Sequence, residues 1–82
     1  MAEVNKNFYQ FAKLKLASVQ RGFRTNSEVL YEINGYYQAL KSLGSTCRKT
    51  KKIKLMADNC LQYDGKERDM ARHAFKQMEV SY

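Results

Sequence analysis

Cys47, Cys60 and His73 are the side chains of this 82-residue chain whose types could do covalent chemistry or hold a metal. A thiol beside a histidine base makes a nucleophile, and Cys and His together are zinc ligands. Their spacing argues against both. Twelve residues separate Cys47 from Cys60 and twelve separate Cys60 from His73, with no C-x-x-C and no second His. A structural zinc site needs four ligands at short paired spacings. Cys60 falls on an apolar helical stripe, so packing is its expected role. Cys47 stands beside Arg48 and Lys49, whose charges would lower its pKa and could make it reactive; an ordinary surface or half-buried thiol is its expected role. Asp58, Asp64, Glu67 and Asp69 are neighbours in sequence, yet helix caps and i,i+4 pairs such as Asp69 with His73 account for them. "GSTCRKT" has one Gly and lacks the frame of a phosphate loop. No catalytic residue, metal ligand or cofactor is expected, and the chain reads as non-enzymatic.

A different chemistry is concentrated in "CRKTKKIKL", residues 47–55, where Arg48, Lys49, Lys51, Lys52 and Lys54 bring five cations and no acid. The net charge is +7, of which residues 1–46 carry +3, residues 47–54 carry +5 and residues 55–82 carry −1. Such a concentration points to an anionic partner, either nucleic acid or an acidic protein surface. Lysines in the first turns of a helix oppose its dipole at a cost on the order of tenths of a kcal/mol each. Acids would stand there in a purely structural design. Arg21 and Arg24, in the link between helices 1 and 2, extend the candidate patch if the chain folds that way. Asn59, Gln62 and Lys51 are the groups of helix 3 able to reach bases or phosphates. A strict helix-turn-helix is disfavoured, since the link from helix 2 to helix 3 is long and Gly35 lies mid-helix. Phe8, Phe11, Tyr36, Tyr37 and Phe75 fall on apolar stripes and are assigned to the core instead of to base stacking; Tyr31 is the exposed exception.

The elements that must position these groups follow from apolar spacing at roughly 100° per residue. Helix 1 is predicted over about 3–20, with Val4, Phe8, Phe11, Ala12 and Val19 on one face, Lys15 intruding on that stripe and snorkelling out of it, and Gly22 as a left-handed cap. Helix 2 is predicted over about 26–43. "TNSE" supplies a capping box from Thr25 and Glu28, and Val29, Leu30, Ile33, Tyr36, Tyr37, Leu40 and Leu43 share an arc closed by Gly44. Helix 3 is predicted over about 50–63 on Ile53, Met56, Ala57, Cys60 and Leu61. An earlier start would turn Lys49 into the core, so "GSTCRK" reads as loop, Thr50 as N-cap, and Leu55 as an exposed leucine. Helix 4 is predicted over about 65–79, with a second capping box from Asp64 and Glu67, a stripe of Met70, Ala71, Ala74, Phe75 and Met78, and a frayed tail at 80–82.

These four short amphipathic helices imply one all-α domain over residues 1–82, a compact bundle or orthogonal array. A chain of this length buries a small core, and helix 1 is rich in large apolar groups, which allows a homodimer through helix 1 or helix 2. Two cysteines do not make a disulfide framework. No segment has the length and apolarity to span a membrane, and no signal or lipid-anchor pattern is expected. A cytoplasmic protein is therefore expected. The function read from the sequence is a small binding or regulatory protein that grips nucleic acid, DNA or RNA, mainly at phosphates through 48–54. The alternative is a regulator or inhibitor docking on an acidic surface of a larger protein, of a phage or mobile-element type.

Overall fold

The computed structural model describes residues 2–80. Helix α1 spans Ala2–Gln20. It ends where Gly22, at φ +78°, enters the left-handed region that favours glycine, letting the Gly22 and Phe23 amides donate to the Val19 and Ser18 carbonyls. Helix α2 spans Asn26–Ser42 and begins with the expected capping box. The Glu28 amide donates to Thr25 Oγ1 at 3.2 Å, and the Thr25 amide donates to Glu28 Oε1 at 2.9 Å. Helix α3 spans Arg48–Gln62, α4 spans Gly65–Gln77, and a 3-10 turn follows over Met78–Val80. Ser81 and Tyr82, most of the tail expected to fray, lie outside the described residues.

The four helices make an all-α bundle with no strand among the described residues. Helix α2 runs back along α1: Phe8 stacks on Tyr36 with ring centres 5.3 Å apart, and Phe11 lies 4.6 Å from the same ring. Near the other end of the pair, Lys15 reaches Glu32 at 2.7 Å. Its amine also lies over the Phe11 ring at 5.4 Å, so the lysine that intrudes on the apolar stripe leaves it along its stem. Helix α3 follows the direction of α1, with its start against Asn5 and Cys60 lining one groove with Leu16 and Ala17. Helix α4 turns back against α3. Phe8, Tyr9, Ala12, Val29, Ile33, Ile53, Ala57 and Phe75 form the centre of the core. Truncating one of the larger aliphatic members to alanine would cost about 2–5 kcal/mol.

Four positions depart from the expected stripes. Tyr9, outside the predicted face of α1, is fully buried because α4 covers that side. Its ring stacks on Phe75 at 4.5 Å, and its hydroxyl donates to the Phe75 carbonyl at 2.9 Å. Asn5 is buried against α3. Leu43, expected in the core, is 78% exposed, since it stands at the helix cap beyond the last packed turn. Met70 is 65% exposed because α4 buries only the narrow i, i+4, i+7 row of Ala71, Phe75 and Met78. Asp64 precedes α4 as expected but makes no side-chain capping bond. Among the described residues no helix is long and apolar enough to cross a membrane.

Candidate functional site

The start of α3 is built on a cluster that local sequence patterns do not reveal. The helix begins two residues before the predicted boundary, and its N-cap is Cys47. Thr50, expected as the cap, sits at the third helical position and is fully buried. The Cys47 amide donates to Thr50 Oγ1 at 3.1 Å, and the Thr50 hydroxyl donates to Asn5 Oδ1 at 2.5 Å. Asn5 Nδ2 donates in turn to Cys47 Sγ at 3.5 Å. This three-membered cluster joins the first turns of α1 and α3. Lys49, which the helical phase seemed to send into the core, is half-buried. It lies one turn before Ile53, where its stem can run along the bundle and its amine can reach water.

Around this buried anchor the outward positions carry Arg48, Lys51 and Lys52, all exposed, with Lys49 on the flank. The first turn of α3 contains no acid. Among the described residues, none of these four cations joins an ion pair. The fifth cation of the run is placed differently: Lys54 is held by Asp58, one turn on, and lies over the Tyr37 ring at 5.6 Å. Arg24 is also engaged, at 3.6 Å from Glu28 and 3.8 Å from Glu32, where it relieves the repulsion between two acids one turn apart. Arg21 follows the C-terminal end of α1, about 24 Å along the helix from Asn5. The structure therefore brings together Arg48, Lys49, Lys51 and Lys52, and sets Arg21 and Arg24 apart from them. Leu55, exposed as expected, stands one turn beyond Lys51 and Lys52 on the same outward face, between them and Gln62.

The two thiols occupy opposite environments. When Cys47 is a thiolate the Thr50 hydroxyl, 3.4 Å away, turns from Asn5 to donate to Sγ; that bond, with those from Asn5 and the Thr50 amide, lowers the Cys47 pKa to about 6. The direction agrees with the sequence expectation. The cause is the polar cluster at a helix start, not the charges of Arg48 and Lys49. Burial raises the Cys60 pKa to about 11, which keeps it a neutral packing group at neutral pH. About 20 Å of helix separates the two. His73 is exposed and paired with Gln77 at 3.0 Å, while Asp69 faces Arg72 instead of His73. Among the described residues no three His, Cys, Asp or Glu side chains converge to hold a metal ion.

Comparison of the chain with protein-family models, with curated proteins and with solved structures returns no match in any of the three.

Proposed function

We propose that this protein is a small non-enzymatic binding protein that engages nucleic acid, chiefly its phosphates, through Arg48, Lys49, Lys51 and Lys52 at the start of α3. The observation that supports this reading is the clustering of four cations within five consecutive positions at one helix start, with no acid in the first turn and no ion pair to any of them among the described residues. Four phosphate contacts would give a slope of log affinity against log salt of roughly −3 to −4 on duplex DNA. The test is fluorescence anisotropy with labelled DNA and RNA over a salt series. Lys51→Ala with Lys52→Ala should flatten the duplex-DNA slope by about 2. Binding that ignores salt, or a double variant with the slope of the parent, overturns the reading.

A second reading has one observation of its own. Lys52 borders a small recess between α3 and the α4 end of the chain, walled by Met56, Ala74 and Met78 with Gln77 among them. A phosphate backbone has no use for the apolar part of this recess, whereas an acidic protein surface with an apolar anchor residue would fill it. Pull-down from nuclease-treated lysate separates the two: a protein retained through these lysines after nuclease favours the acidic partner.

A further inference from the structure

Between α1 and α4, away from the start of α3, lies a groove of about 350 Å³. Its size is near the lower end of small-molecule sites, which run from about 300 to 1,000 Å³. Leu16, Ala17 and Phe75 give it apolar walls, and Cys60 closes the floor. Burial holds that thiol neutral, so the floor offers no charge to an apolar guest. Its charged groups are cations, Arg72 and Lys76 one turn apart on α4 and Lys13 on α1, beside the polar side chains of Tyr9, Gln20 and His73. Among the described residues no acidic side chain lines the groove. Two carboxylates stand beside it: Glu79 holds Lys13 at 2.8 Å, and Asp69 approaches Arg72 only to 4.0 Å. The Arg72 side chain is 36% exposed. It is thus a partly desolvated guanidinium with a loose partner, and its fork geometry matches a carboxylate. Lys76 joins no ion pair among the described residues.

We infer that this groove binds a small amphiphilic anion, a carboxylate carrying an alkyl chain. Arg72 and Lys76 take the carboxylate, and the chain lies along Leu16, Ala17 and Phe75. The stretch of α1 that lines the groove, from Tyr9 to Gln20, is about 16 Å long, room for an extended medium-length chain.

The probe is dodecanoate, kept below its micellar concentration, with the intact chain labelled for amide NMR and titrated in parallel by calorimetry. Dodecanoate should shift amides of residues 13–20 and 72–76 and leave those of residues 48–52 unmoved. Arg72→Gln should weaken it about ten- to hundredfold, the range for a hydrogen bond to a charged group. Ala17→Phe, which fills the groove, should abolish binding; both variants are first checked for parental helicity. Dodecyltrimethylammonium, equal in chain length and opposite in charge, should not bind. The inference is overturned by shifts at the start of α3 instead of the groove, by equal binding of the cationic amphiphile, or by parental affinity in Arg72→Gln. Salt-dependent binding of nucleic acid should be the same in Arg72→Gln as in the parent, which keeps the two sites experimentally separate.

Discussion

At the start of α2 the Thr25 amide donates to the Glu28 carboxylate at 2.9 Å; at the start of α3 the Cys47 amide donates to the Thr50 hydroxyl at 3.1 Å. Both helices thus close their N-terminus with the side chain three positions on. Beyond that they diverge. Helix α2 places an acid in its first turn, where the dipole favours it, and its cap needs no residue outside 25–28. Helix α3 has no acid there and carries Arg48 and Lys49 instead. Its stabilising contact comes from Asn5, 45 positions away from Thr50. A tertiary anchor replaces local electrostatics at α3. The outward positions are thereby released to carry charge that a self-sufficient helix start would avoid.

The sharpest way to break this comparison is Thr50→Val, which keeps the shape and removes the hydroxyl. It strands the buried Asn5 amide and should cost about 2 kcal/mol, a fall in Tm of roughly 10 °C for a domain of this size. The same change should return the Cys47 thiol toward its ordinary range near 8.5, read as a shift in the pH profile of its alkylation. The sign can be checked in the parent. Because the folded pKa lies below the unfolded one, the thiol's contribution to stability is complete above about pH 8.5. That contribution is lost as pH falls through about 6. An unchanged Tm and alkylation profile in Thr50→Val would remove the anchor from the account.

Thr25→Ala at the start of α2 should cost less, about 1 kcal/mol for a lost cap, seen as a Tm lower by roughly 5 °C. It should leave nucleic-acid affinity untouched. Smallest is Lys49→Glu, which writes the acidic logic of α2 into the first turn of α3. It should raise stability by about 0.3–1 kcal/mol, measured by urea unfolding, while weakening nucleic-acid binding. A variant that loses stability instead would mean that the cations at this helix start are part of its fold.

The same contrast explains which parts of the molecule were legible in the amino-acid order. Helix α2 could be read to within a residue because Thr25, Glu28 and Gly44 act on their immediate neighbours. Gly22 was equally readable, since a left-handed residue after an apolar period has few other uses. The start of α3 was misplaced because Thr50 answers to Asn5, a residue that no spacing rule links to it. Tyr9 was missed for a related reason: its ring and hydroxyl both serve Phe75 on α4, and the periodicity of α1 alone cannot announce a second packed side. In the candidate site, the density of basic residues was plain. The withdrawal of Lys54 by Asp58 and of Arg24 by Glu28 and Glu32 was not, because an i,i+4 pair can form or fail according to what flanks it.

The link from Asn5 to Cys47 and Thr50 also bears on motion. Helix starts with few buried apolar contacts open at low free energy, and their amides exchange with solvent accordingly. At the start of α3 the cations repel one another, and the hydrogen bonds that hold them lead to the first turns of α1. An anion seated on Arg48 and Lys51 would damp the opening of both helix starts at once. Slowed amide deuteration around Asn5, remote in sequence from the bound site, would then report occupancy without any label on the ligand.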